Sequence, residues 1–324
     1  RVGEAARTRL FRDGRRMEAQ MTPADEPGFP RQIFSFHADE GESTRVEKVV
    51  ALYSSKDKAI SEPALAAREL ADVASDFAEL ADKHASTWKG LWARFDVEAE
   101  SDHPDLQMIV RLHIFQLIQS VSPHTLDVDA GAPARGWHGE AYRGHIFWDE
   151  LYILPFLDTH YPEISRALLR YRYHRLRKAR LAARRGGHKG AAYPWQSGSD
   201  GREESQVMHL NPRSGRWVPD SSWQQRHVNL AIAYNMWAHY ALTGDSTALE
   251  TGNAEVIIEI TRLFASLVEY NEAREGGRYE VHDVMGPDEF HEAYPDTEKK
   301  GLKNNAYTNV MVSWLMETAL RVID

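Results

Sequence analysis

The hydrophobic period of this 324-residue chain changes once, near Tyr53, and that change limits the fold more than any other feature. Before it, QIFSFHA and TRVEKVVALY are separated by the turn-rich ADEGES. In the second stretch Val46, Lys48, Val50 and Leu52 alternate with Arg45, Glu47, Val49 and Ala51. A period of two predicts a β-hairpin between about Arg31 and Tyr53. A lone hairpin is marginal in water, so its companion strands are expected to be missing from the chain or to belong to a disordered or deleted start. After Tyr53 the apolar residues recur at intervals of three and four. Ser61-Glu62-Pro63 signals a helix start and Leu70, Val73, Phe77 and Leu80 follow it. Met108, Ile109, Leu112, Phe115 and Ile118 form a second stripe, Pro162 opens a helix that Gly186-Gly187 closes, and Val256, Ile257, Ile260, Phe264 and Leu267 mark a later one. These signals predict a mainly α protein.

Composition narrows the chemistry. The chain has no cysteine, which excludes disulfides, thiolate nucleophiles and Cys-ligated zinc or iron-sulfur centres. Its net charge of -9 offers no attraction to nucleic acid or anionic membrane. The basic run from Arg166 to Arg185 therefore reads as a solvated helix face rather than an RNA surface. No apolar run reaches signal-peptide length or the roughly 18 residues of a membrane span, so the expected location is cytoplasmic. Of the 15 histidines, none forms a His-x-x-x-His pair, and His138 and His145 fall in a Gly-broken loop, so no metal site is expected. No nucleophile elbow, phosphate loop or dinucleotide fingerprint occurs, and no cofactor is expected.

What remains lies in long loops between the helices, and loops of that length in a compact domain are usually functional. ARGWHGEAYRGHIFWDELY (Ala134 to Tyr152) and YPWQSGSDGREESQ (Tyr193 to Gln206) set Trp137, Trp148 and Trp195 beside Asp149, Glu150, Glu203, Glu204 and several arginines. Trp217 and Trp223 lie just beyond. Sugars present C–H groups on the ring face and hydroxyls at its edge, so planar aromatics beside carboxylates, amides and guanidinium groups suit a carbohydrate. A third loop, GPDEFHE (Gly286 to Glu292), gathers three carboxylates and a histidine behind a Gly-Pro turn.

RGHIFWDELYILPF, PWQSGSDGREESQ, GPDEFHE and NNAYTN (Asn304 to Asn309) occur in that order, and together they resemble glycoside hydrolase family 65. The resemblance implies an (α/α)6 barrel over 102–324, incomplete at its C-terminus. A helical linker over 56–101 and the end of an N-terminal β-sandwich over 1–55 would precede it. It implies inverting phosphorolysis of an α-linked glucose disaccharide of the maltose, trehalose or kojibiose class, with inorganic phosphate as co-substrate and β-glucose 1-phosphate as product. Glu289, the glutamate of GPDE, falls on the general acid, with Asp288 as an anionic neighbour and Glu292 next in line. Trp148 and Asp149 fall on residues that hold the glucosyl ring. Arg143, His145, Trp195, Glu203, Glu204, Asn304 and Asn305 join them as candidate substrate-binding residues.

An acetal oxygen leaves poorly until protonated, so such an enzyme needs a carboxylic acid held neutral near pH 7. A hydrolase of kojibiose or trehalose, with a base in Glu203, Glu204 or outside the chain, and an inactive carbohydrate-binding remnant are the alternatives. A homodimer is left open. Lys303 stands where the family usually carries Asp or Asn. Because ALRVID ends without a stop signal, the natural chain is expected to continue past Asp324, where the family's phosphate-gripping loop lies.

Overall fold

The computed structural model describes residues 1–26, 29–136, 142–273, 275–287, 291–297 and 299–324. The chain divides into two compact units, Arg1–Phe95 and Asp96–Asp324.

In the first unit β1 (Val2–Arg12), β2 (Arg15–Met17) and β5 (Thr44–Ser54) form an antiparallel sheet in the order β2-β1-β5. β3 (Gln20–Glu26) and β4 (Phe29–Ser35) form a separate antiparallel ribbon. The expected hairpin between Arg31 and Tyr53 does not occur. β5 pairs with β1 from Val2↔Ser54 to Arg12↔Thr44, and β4 pairs with β3. The companion strands are thus residues 2–26 of this chain. β1 carries no alternation to betray it, because Glu4, Arg7, Arg9 and Arg12 fall on both faces; its extended form comes from pairing along β5.

Two helices follow, α1 (Pro63–Val73) and α2 (Phe77–Phe95). The stripe Leu70, Val73, Phe77 and Leu80 was expected on one helix, but it crosses the break between them and all four residues are exposed. The break has local causes. The Arg7 guanidinium donates to the carbonyls of Asp72, Ala74 and Ser75, and the Asp76 carboxylate accepts from the Glu79 amide at 2.9 Å. One helix end is satisfied and the next helix start is capped. α1 instead buries Ala67 and Ala71 against Ala51 of β5. Its approach is close enough that a Cβ on Gly3 would lie 2.3 Å from the Ala64 nitrogen.

The second unit contains α3 (Leu106–Ser120), α4 (Glu150–His160), α5 (Pro162–His174), α6 (Leu176–Arg185), α7 (His227–Thr243), the one-turn α8 (Ser246–Ala248), α9 (Ala254–Leu267) and α10 (Ala306–Ile323). The ribbons β6 (Met208–Leu210) with β7 (Trp217–Pro219) and β8 (Val268–Asn271) with β9 (Arg278–Val281) lie between them in sequence. α7 sits at the centre, packed by α4, α5, α9 and α10, and is buried on nearly every side. From α9, Val256, Ile257, Ile260 and Phe264 are fully buried, as their spacing predicts. Each such side chain contributes about 1.5–3 kcal/mol.

Two expectations change here. α3 forms, but Met108, Ile109 and Leu112 are exposed, and Ile114 and Ile118 are its buried residues. The helix expected from Pro162 to Gly186 is split at Arg175, whose side chain turns inward to Asp129 and to the Ser199 carbonyl. Arg172 is only 1% exposed, so the basic run is not a uniformly solvated face. Both arginines are buried with partners, as buried charge requires. Among the described residues no helix is long and apolar enough to cross a membrane.

Candidate active site

The site is assembled by pairing two loops. Ile146 and Ser197 exchange backbone hydrogen bonds of 3.1 and 2.9 Å, which sets the FWD segment beside the PWQ segment. Behind them Arg172 donates to the Glu150 carboxylate at 2.9 Å and to the Phe147 carbonyl at 2.7 Å. The Tyr171 hydroxyl donates to the Gly198 carbonyl at 2.6 Å. Trp148 and Asp149 are therefore carried on a backbone fixed from both sides, and Glu150 serves as an anchor.

Four aromatic rings converge in front of this support. Trp148 lies 6.2 Å from Trp195, 4.8 Å from His227 and 6.1 Å from Tyr307, the last of these inside NNAYTN. His227 opens α7 and is almost completely enclosed; burial lowers its pKa to about 4, against the weaker opposing influence of the Met285 backbone. It is a neutral ring at neutral pH. Beside the rings lies a cavity of about 390 Å³, lined among others by Trp148, Asp149, Trp195, Gln225, Pro287 and Glu292. Gly286 closes the third loop onto it: its amide donates to the His291 carbonyl, and a Cβ there would meet the His291 ring at 2.1 Å. A side chain at 286 would force that turn open.

Asp149 and Glu203, one acid from each of the paired loops, differ. Asp149 occupies the position before α4 but makes no capping hydrogen bond, and burial raises its pKa. A dehydrated carboxylate lining a cavity is a candidate functional group. The Glu203 carboxylate instead accepts from the amides of Trp195 (2.9 Å) and Gln196 (3.0 Å) and from the Ser205 hydroxyl (2.7 Å).

Trp148, Asp149 and Trp195 thus share the cavity. His145 stands beside it, its Nδ1 accepting from the Gln196 amide at 2.6 Å. Arg143 is exposed, with a left-handed backbone of φ 55°. Glu204 faces Arg202 at 3.5 Å and packs on Gly198. Asn305 caps α10 through the Thr308 amide, and Asn304 accepts from the Val281 amide and donates to Glu280. Glu280 is held ionised down to about pH 2, chiefly by the Lys303 ammonium at 2.7 Å. Lys303 therefore serves this anchor of the NNAYTN turn. Glu292 lines the cavity and pairs with Lys300. Glu289 and Asp288, like Trp137 and His138, lie outside the described residues, while Pro287 on the near side of Glu289 and Glu292 beyond it both line the cavity. Trp217 and Trp223 are exposed. Among the described residues no group of His, Asp and Glu could hold a metal ion.

His227, Tyr307 and Gln225 were not among the residues expected at the site. Tyr307 sits within a motif, so a signal existed for it. His227 begins an apolar helix, where nothing nearby marks it in the sequence.

Planar rings, an uncapped carboxylate and amide and hydroxyl groups surround one cavity, a combination that suits a carbohydrate. The chain belongs to glycosyl hydrolase family 65: residues 111–324 match its central catalytic domain and residues 1–91 its N-terminal domain. An uncharacterized glycosyl hydrolase of Mycobacterium tuberculosis is 46% identical over 323 residues, covering all of this chain and 24% of that protein. The trehalose 6-phosphate phosphorylase of Lactococcus lactis is 44% identical over 242 residues, 74% of this chain and 31% of that one. The kojibiose phosphorylase of Halothermothrix orenii is 34% identical over 311 residues, 91% of this chain and 38% of that one. The chain thus spans about a quarter to two fifths of the length of these relatives. A solved structure titled "Putative kojibiose phosphorylase from human microbiome" superposes with a TM-score of 0.71 at 20% identity, over 99% of this chain and 39% of that one. At that identity the likeness concerns the fold.

Proposed function

We propose that this chain carries the glucosyl-binding and acid-bearing part of an inverting α-glucoside phosphorylase acting on an α-linked glucose disaccharide and phosphate. The observation that supports it best is the convergence on one cavity of FWD, PWQ and both flanks of GPDEFHE, in a member of a family whose similar relatives are named as phosphorylases. In this reading α7 and the helices around it belong to an (α/α)6 barrel, residues 56–101 are its linker, and the strands of residues 1–55 end a β-sandwich.

The chemistry follows from the parts. Trp148 and Trp195 take the C–H faces of the glucosyl ring and Asp149 accepts hydrogen bonds from its hydroxyls. Glu289 gives its proton to the glycosidic oxygen as the C1–O bond breaks, and a phosphate oxygen forms the new bond to C1 from the opposite face. The leaving sugar departs neutral and β-glucose 1-phosphate results. Phosphate is already anionic, so no carboxylate base is required, unlike in an inverting hydrolase. Glu203, Asn304 and Asn305 act by fixing the backbone around the site and His145 by holding the Gln196 side chain, with Glu204 and Arg143 at its margin.

The test is to incubate the protein with maltose, trehalose, trehalose 6-phosphate and kojibiose, with and without phosphate, and to follow products by NMR. Phosphate-dependent β-glucose 1-phosphate is expected. Two free sugars formed equally well without phosphate would make the protein a hydrolase, and no product under either condition would leave it a binding protein.

A further inference from the structure

A second cavity, of about 470 Å³, shares no lining residue with the first, although Pro194 lines the second and its neighbour Trp195 the first. Its lining holds four cations, Lys178, Arg185, Arg202 and Arg226, against one carboxylate, Glu203. Two of these five charges are already committed. Arg202 pairs with Asp200 at 2.8 Å, and the Glu203 oxygens accept the amide and hydroxyl bonds described above.

Arg226 is in a different position. Burial lowers its pKa, Glu203 being the charge that opposes this, and among the described residues its side chain makes no hydrogen bond or ion pair. Its guanidinium stands 5.3 Å from the ring of Trp223, which is 49% exposed. A partly dehydrated guanidinium with no carboxylate in ion-pair contact is costly, and its planar fork of donors matches a phosphate. Arg226 also occupies the N-cap of the 17-residue α7, whose dipole adds positive potential. Lys178 and Arg185, both exposed on α6, extend the cationic field over the opening. One exposed indole and a cavity of this size fit a single sugar ring carrying one phosphate.

We propose that this second cavity binds a sugar phosphate, with its phosphate group against Arg226, Arg185 and Lys178 and its ring on Trp223. The site is independent of the phosphorolysis reading, since neither Asp149 nor Glu289 takes part in it.

Calorimetric titration of the protein with glucose 6-phosphate, inorganic phosphate and glucose tests this, using wild type, Asp149→Ala, Trp223→Ala and the double variant Lys178→Glu/Arg185→Glu. The two charge reversals are on exposed side chains, and a thermal melt checks that the variant folds. Glucose 6-phosphate should bind wild type and Asp149→Ala alike, and the double reversal should weaken it at least about tenfold. Trp223→Ala should weaken glucose 6-phosphate while leaving inorganic phosphate unchanged. Binding that survives the double reversal, or that is lost in Asp149→Ala, would overturn the proposal. Inorganic phosphate binding as tightly as glucose 6-phosphate would remove the sugar from it.

Discussion

The loop that carries Asp149 and the loop that carries Glu203 lie side by side through the Ile146–Ser197 bridge, yet they use their acids in opposite ways. Glu203 is exposed but fully engaged, holding the amides of its own loop. Asp149 is more buried but unengaged by any cap, and its carboxyl titrates above the usual range. The difference teaches that an acid is available for a ligand when no other residue's donors engage its oxygens, whatever its exposure. The same contrast separates Arg172, committed to Glu150 and Phe147, from Arg226, which has no such partner among the described residues.

The largest expected effect is on the proton donor. Glu289→Gln should lower turnover by roughly 100- to 10,000-fold and leave sugar affinity nearly intact, with partial rescue by a substrate whose leaving group needs no proton. Near-normal turnover on the disaccharide would move the role to Glu292. Next comes the shared anchor. Arg172→Leu leaves Glu150 buried and unpaired, so chemical denaturation should show a loss of about 3–5 kcal/mol; a variant as stable as wild type would show that the pair holds nothing.

His227 gives the third effect. Below its ordinary pKa of 6.5 the unfolded chain takes up a proton that the folded ring refuses until about pH 4. Stability should therefore fall as pH drops through that window, by about 3 kcal/mol in all. In His227→Phe that part of the slope should vanish; an unchanged slope would mean that the ring is not held neutral.

The last two sharpen the contrast between the acids. Asp149→Ala removes a charged acceptor worth about 1.5–3 kcal/mol, so sugar binding should weaken by one to two orders of magnitude while the melting temperature changes little. Glu203→Ala should do the reverse, costing about 1–3 kcal/mol of stability and touching binding only through Trp195. If Glu203→Ala abolished binding without loss of stability, the assignment of the two acids would have to be exchanged.

Much of the helical scaffold was legible in the sequence, because α9 packs against α7 and other helices and its stripe is buried from Val256 to Phe264, with Leu267 partly covered. The stripes through Leu70 and Met108 announce helices but not which face is covered: Ala67 and Ala71 make the contact in α1, and Ile114 and Ile118 are the buried residues of α3. β1 was illegible because its charges fall on both faces, and the breaks at Ala74 and Arg175 because each depends on an arginine side chain meeting carbonyls or a carboxylate distant in sequence. Trp148, Asp149 and Trp195, which share the cavity, stand out in the sequence because their loops combine tryptophan with several acids. The role of Glu203 could not, since a glutamate that reaches for a sugar and one that reaches for a backbone amide read alike.

A crystal structure of the protein with bound glucose tests the account most directly. The account predicts the ring in the cavity of Trp148 and Trp195, its hydroxyls bonded to Asp149, and Glu203 still on the amides of Trp195 and Gln196. A glucose ring bonded to Glu203, or seated away from Asp149, would contradict it.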